Sequence, residues 1–212
     1  GMASQGNELI AKKAMYALTE LLKTKSSEDM LVGIMWSGID RHSVYIEDGK
    51  LIPNRNTDGW IENPTSVTGK EEDRNWVILN WGWKTPLAKE WYGRFHNTIE
   101  SVSKTLESIL LLQYFLEKNN IDYFMTTYMD IFSGGAKYSM NRDELKYLTD
   151  QINWDKFLPT NGEYEWLKEN FTEGIPTGHD KDAIHPSEEG HRIFTEECIY
   201  PYIKSKIYKK LI

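Results

Sequence analysis

One cysteine in 212 residues, Cys198, has no partner within the chain, so an internal disulfide framework and any zinc cluster built on thiolates are excluded. Long hydrophobic runs are also missing. No stretch of eighteen apolar residues occurs, which leaves no candidate for a membrane-spanning helix. Cations are in deficit, 25 Lys and Arg against 32 Asp and Glu, for a net charge of −7 and a pI near 5.3. A general affinity for phosphate backbones or anionic lipid is not expected of such a surface, so neither nucleic acid nor membrane is an expected partner. Internal repeats and low-complexity segments are absent. What remains is ordinary for a globular chain: 40% apolar and 27% charged residues, enough for a single domain spanning residues 1–212. Eight Trp and twelve Tyr fit either a large core or an aromatic-lined pocket for sugars or apolar groups. Gly1 before Met2 reads as the remnant of a cleaved tag, and no signal peptide follows it.

The apolar periodicity gives an α/β order of elements. Asn7, Leu9, Ile10, Ala14, Met15, Leu18, Leu21 and Leu22 outline a helix over 7–25. Met30 to Trp36 is a continuous apolar run of strand length, typical of a buried parallel strand, and it ends at Ser37-Gly38. Val44-Tyr45-Ile46 and Lys50-Leu51-Ile52 flank Asp48-Gly49, a two-residue hairpin signal. Residues 54–74 read as loop before a further strand at Trp76–Leu79, so 42–85 is expected to be an antiparallel insertion. Period 3.6 returns from Pro86 to Lys118 as one long helix, stopped by Asn119-Asn120. Ile121 to Met129 is rich in β-branched and aromatic residues and forms a second core strand. Short helices are expected near 142–150 and 164–170. Ser187 caps a last helix carrying Ile193, Phe194, Cys198 and Ile199, which Pro201 interrupts.

The chemistry concentrates in Asp182-Ala183-Ile184-His185-Pro186-Ser187-Glu188-Glu189-Gly190-His191. A histidine acting as general base needs its far nitrogen held by a carboxylate, and an Asp three residues earlier on a tight loop supplies one locally. Pro186 biases His185 toward an extended backbone and lets a helix begin at once, which fixes the direction of the ring. This order, at the start of the last helix of an α/β chain, resembles the SGNH (GDSL) hydrolase superfamily of esterases and lipases. The resemblance implies a flavodoxin-like three-layer α/β/α sandwich on a parallel sheet, with Asp182 and His185 as the acid and base of a triad. It further implies that Gly6 donates its N–H to an oxyanion hole. The stretch Trp36-Ser37-Gly38-Ile39-Asp40-Arg41 stands where the family has Gly-x-Asn-Asp, which puts Ser37 and Asp40 at the same hole.

Two departures matter. Asp40 takes the position of an oxyanion-donating Asn, and an ionised carboxylate there repels the charge it should stabilise unless it is protonated or turned toward Arg41. The nucleophile block, Gly-Asp-Ser on an N-terminal strand, has no counterpart in these residues. Either the chain begins after that block or it is a variant that has abandoned hydrolysis; a helix starting at residue 7 favours the first, making the chain N-terminally incomplete. Ser4 lacks the preceding strand and strained turn that present a nucleophilic hydroxyl. The expected function is thus a serine esterase acting on a small-molecule or glycan acyl ester when complete, without a cofactor. The alternative is a non-catalytic carbohydrate- or partner-binding module on the same scaffold. His179, Asp180, Asp182, His185 and His191 have no established metal-ligand spacing, and no metal is expected there. Trp60 and Trp81-Gly82-Trp83 read as the insertion's own small core, Ser133-Gly134-Gly135 as a turn, Gly190 as a close-packing position and His191 as a buried hydrogen-bonding residue. Without a preceding strand, Met30–Trp36 is left as an unprotected sheet edge, and a homodimer through that edge or helix 7–25 is expected.

Overall fold

The computed structural model describes residues 5–45, 65–70, 75–80, 86–132, 142–171 and 186–206. Helix α1 (Asn7–Leu21) begins at Gly6, whose backbone is extended and whose carbonyl accepts from the N–H groups of Leu9 and Ile10. A short 3-10 turn over Ser27–Asp29, capped by the Ser26 hydroxyl, leads into strand β1 (Leu31–Trp36). Strand β4 (Asp122–Thr127) lies parallel to β1, with Leu31 opposite Asp122 and Trp36 opposite Thr127. Parallel neighbours need a long crossover, and helix α3 (Thr98–Lys118) lies within it, packed against α1. Strands β2 (His42–Tyr45) and β3 (Trp76–Leu79) form a separate antiparallel pair, with His42 opposite Leu79. The described residues thus form a mixed α/β structure with one small parallel sheet and one antiparallel pair, the latter inside the span expected as an insertion.

Alternation along β4 sends its side chains into two different clusters. Tyr123 and Met125 join Trp36, Leu106, Ile109 and Leu116 beside α1 and α3, and every one of these is fully buried. Phe124 packs instead with Leu158, Phe194 and Tyr202. Its ring lies across Gly33, its register partner, where a Cβ would stand 2.5 Å from Phe124 Cζ. A third, smaller cluster joins β3 to helix α2 (Pro86–Arg94) through Val77, Leu79 and Ala88.

Several expectations need correction. The helix expected from Pro86 to Lys118 is two, α2 and α3, because the Asn97 side chain accepts from the N–H groups of Ile99 (2.9 Å) and Glu100 (3.2 Å) and caps a new start. Helix α1 stops at Leu21, not residue 25. The chain from 143 to 149 forms a 3-10 turn running into the one-turn helix α4 (Lys146–Thr149), and α5 spans Glu163–Asn170. Pro201 does not break the last helix. Ser187 caps α6 (Glu188–Phe194), a π-turn over Thr195–Ile199 follows, and α7 (Tyr200–Lys206) continues through the proline. Widening the preceding turn accommodates the missing proline N–H and keeps its ring off the carbonyl four residues back. The hairpin expected around Asp48-Gly49 lies outside the described residues; within them, β3 is the partner of β2.

Candidate functional site at the C-terminal end of the parallel sheet

Ligands of open α/β sheets sit at the carboxyl ends of the strands, and here those ends meet the start of α1. Asn7 is buried, and its amide clasps the backbone where β1 ends: Ser37 N–H donates to Asn7 Oδ1 at 2.7 Å and Asn7 Nδ2 donates to Ser37 O at 3.0 Å. The same Nδ2 reaches Thr105 Oγ1 on α3 at 3.2 Å. Gly6 closes the clasp from the other side. A Cβ there would lie 2.4 Å from the Arg41 carbonyl oxygen, so backbone meets backbone and only glycine fits. The two segments singled out in the sequence, Gly6 and Ser37–Arg41, are therefore side by side although about thirty residues separate them.

Within that loop, Arg41 donates through Nη1 to Ser37 Oγ at 2.6 Å. Among the described residues the Arg41 guanidinium is thus turned to Ser37, and no ion pair joins it to Asp40. Asp40 holds the loop by its backbone, its carbonyl accepting from the Tyr92 hydroxyl, whose single proton also lies within reach of Leu79 O, 3.1 Å from the phenol oxygen. Burial, reinforced by Asp40 and opposed by Arg41, pushes the Tyr92 phenol well above its usual range, so it stays protonated as a donor.

A ladder of backbone bonds extends the site across the sheet end. Tyr128 N–H donates to Trp36 O at 2.8 Å, and Tyr164 N–H donates to Tyr128 O at 3.0 Å. This brings the first turn of α5 to the same place, with Gly162 at positive φ and so close to the chain that a Cβ would stand 2.7 Å from the Met129 carbonyl carbon and 2.9 Å from Asp130 N. Glu165 Oε2 accepts from Asp130 N–H at 2.8 Å. Beside the end of β4 opens a cleft of about 390 Å³, lined by Thr126, Thr127, Phe132, Trp154, Leu158 and Tyr202 among others. Phe132, Trp154 and Phe157 form an aromatic trio with ring centroids 5.2 to 5.4 Å apart. The buried hydroxyls of Thr126 and Thr160, both in this lining, have no hydrogen-bond partner. The same cleft is also lined by Asp155, Asn161 and Lys206, so aromatic rings and polar side chains share it, a mixed lining suited to a partly polar organic ligand.

The expected catalytic pair, Asp182 and His185, lies outside the described residues, as do Ser4, Trp60, Trp81-Gly82-Trp83, Ser133-Gly134-Gly135, His179 and Asp180. A different histidine–carboxylate pair is present. His191 Nδ1 meets Glu163 Oε1 at 2.6 Å, joining α6 to the first residue of α5. The expectation of a buried His191 is reversed: its side chain is half exposed, and Glu163 is the buried member. Burial pushes the Glu163 carboxyl upward, opposed by the His191 bond, and Glu163 Oε2 has no partner. Nothing local in the sequence marks this pair, since its members stand 28 residues apart and Glu163 opens a strongly charged helix. Gly190 is buried, as expected of a close-packing position. Cys198 is half-buried on the π-turn, and burial, with Glu197 and Glu163 nearby, pushes its thiol up to about 11, which suits a packing residue and not a thiolate nucleophile.

Comparison of the chain with family models, with curated proteins and with solved structures returns no match.

Proposed function

We propose that this chain is the oxyanion-loop and acid–base part of an SGNH-type carboxylic-ester hydrolase, on a flavodoxin-like three-layer α/β/α scaffold. The observation that carries the reading is the clasp of Gly6 and Asn7 on Ser37–Arg41, at the carboxyl end of β1 beside β4. The resemblance assigns both segments to one oxyanion hole, and they are adjacent. Separate clusters on the two sides of β4 support the layered scaffold. In the reaction a serine oxygen attacks the ester carbonyl while His185, oriented by Asp182, takes its proton. The Gly6 N–H helps to hold the oxyanion; when that intermediate collapses the alkoxide leaves with the proton from His185, and water, deprotonated by His185 in turn, releases the acid from the acyl–serine and restores the serine. The cleft beside β4, with its aromatic trio and the polar side chains of Asp155, Asn161 and Lys206, suits the remainder of an acyl or acetylated-glycan substrate.

The attacking serine is not among these residues in Gly-Asp-Ser form. The 212-residue chain is therefore expected to show negligible turnover of p-nitrophenyl acetate. The same chain joined to an in-frame upstream Gly-Asp-Ser block is expected to hydrolyse it and to lose that activity in His185→Ala. A stop codon in place of such a block would overturn the esterase reading, and robust turnover by the 212 residues alone, abolished by His185→Ala, would overturn the serine assignment. A second reading, a non-catalytic carbohydrate- or partner-binding module, rests on Asp40 in the position where the family has its oxyanion-donating Asn and on the missing Gly-Asp-Ser block. For that module, saturable binding of an acetylated oligosaccharide without turnover is the expected result.

A further inference from the structure

Away from the sheet end, the start of β2 meets the link between α2 and α3, and three polar atoms converge there. His42 Nε2 lies 3.3 Å from His96 Nδ1, Ser101 Oγ lies 3.3 Å from His42 Nε2, and Ser101 Oγ lies 3.5 Å from His96 Nδ1. We propose that His42, His96 and Ser101 form a binding site for one divalent transition-metal ion of the zinc type, with a fourth position open to water.

The triangle has the dimensions of one face of a coordination tetrahedron. Ligand atoms held about 2.0–2.1 Å from a tetrahedral zinc ion are separated from one another by about 3.3 Å. A direct hydrogen bond explains the separation less well, since 3.3 Å is beyond the common N–H donor distance and two imidazole nitrogens facing each other share only one proton. The serine proton is engaged elsewhere: Ser101 Oγ donates to Asn97 O at 2.9 Å, which leaves oxygen lone pairs for the two rings. The arrangement is fixed by backbone, because Asn97 caps α3 and Ser101 N–H donates to Asn97 O at 3.0 Å. His42 is held by the β2–β3 pairing.

The surroundings suit a small, partly dehydrated ion. Trp91 and Tyr92 lie against His42 with ring centroids 5.6 and 6.0 Å away, and Tyr92 lies 5.1 Å from the His96 ring. An adjoining cavity of about 10 Å³, lined by His42, Ser43, Ser101 and Lys104 among others, has the size of a single water. The charged groups acting on His42 are Asp40 and Glu100, which favour a cation, and Lys104, which opposes one while ion-paired to Glu100 at 2.8 Å. Among the described residues no group of three His, Cys, Asp or Glu side chains gathers to hold a metal. Two imidazoles and a hydroxyl therefore set the affinity, which is expected to be micromolar and not the much tighter binding of four-ligand structural zinc.

Cobalt(II) titrated into the EDTA-treated 212-residue chain provides the test, since a tetrahedral N/O site gives intense visible absorption that zinc removes by displacement. One equivalent of cobalt is expected to bind, with at least tenfold weaker binding in His42→Ala and His96→Ala and unchanged binding in His179→Ala and His191→Ala. Nitrogen-15 shifts of the histidine rings need no variant, and zinc is expected to move His42 Nε2 and His96 Nδ1 together. Absence of saturable binding at millimolar metal overturns the site. So does loss of binding in His179→Ala or His191→Ala, or shifts confined to histidines other than His42 and His96.

Discussion

Asn7 shows how one side chain can hold a site before any chemistry is considered. Its carboxamide satisfies both backbone groups of Ser37 and the Thr105 hydroxyl, all in buried positions. Asn7→Ala removes these bonds and leaves a donor and two acceptors without partners, so a loss of about 2–4 kcal/mol is expected in urea unfolding. Asn7→Asp keeps an acceptor for the Ser37 N–H but loses both donated bonds, and is also expected to destabilise; a wild-type midpoint for either variant would mean that Ser37 is held by something else. His42 makes a second residue-level prediction. Burial first, then His96 and Lys104, lower it from 6.5 to about 4, against the smaller opposing influence of Asp40 and Glu100. Between those values the unfolded chain binds a proton that the folded chain does not, so stability rises from pH 4 to about 6.5 and this contribution is flat above. In EDTA, His42→Gln should therefore lose less stability than wild type between pH 7 and pH 4.5, by up to about 2 kcal/mol after solvent screening. Equal losses would place His42 in an ordinary solvated setting.

The elements divide into those a linear pattern reveals and those it hides. The parallel pairing of β1 with β4 was legible because a continuous apolar run, Met30–Trp36, and a β-branched and aromatic stretch, Ile121–Met129, flank a long apolar helix stripe. Ser187 was legible as a cap for the same kind of local reason, its hydroxyl accepting from Gly190 N–H at 3.2 Å. The break between α2 and α3 was hidden, because an apolar stripe runs past residues 95–97 and only the Asn97 side chain competes with it. Half of the candidate site was legible for a reason that does not depend on long-range contacts: a glycine before a helix and a polar loop after a strand stand out locally. Glu163–His191 and His42–His96–Ser101 did not stand out, since each is assembled from separate elements. Gly33 tests the pairing itself. Its missing side chain admits the Phe124 ring from the neighbouring strand, and a Cβ would stand 2.5 Å from that ring. Phe124 is buried against Leu158, Phe194 and Tyr202 and has little room to retreat, so Gly33→Ala is expected to cost about 1–3 kcal/mol. Recovery of wild-type stability in the double variant Gly33→Ala/Phe124→Leu would attribute the loss to that contact; an unaffected single variant would show that the ring moves freely.

For the whole molecule, the outer edge of β1 decides how the chain behaves in solution. Among the described residues β4 is the hydrogen-bonded neighbour of β1, and β1 has no second one. That edge carries no proline, lysine or bulge to discourage pairing, and Leu31 and Met35 are exposed along it, at 40% and 36%. Two copies related by a two-fold axis would bring their β1 strands together antiparallel, continuing each sheet into the other and satisfying both rows of backbone groups. The 212-residue chain is accordingly expected to sediment as a dimer at micromolar concentration. Met35→Lys puts a charge of the same sign on each of the two paired strands and is expected to shift the protein toward monomer without loss of helix content. The same edge is where a further strand carrying Gly-Asp-Ser would add in the esterase reading, so joining the chain to such a strand should convert dimer to monomer as activity appears. Clean monomeric sedimentation of the 212 residues would refute pairing through β1. Dimerisation that persists once the extra strand is attached would move the interface to another face, with α1 the next surface to vary.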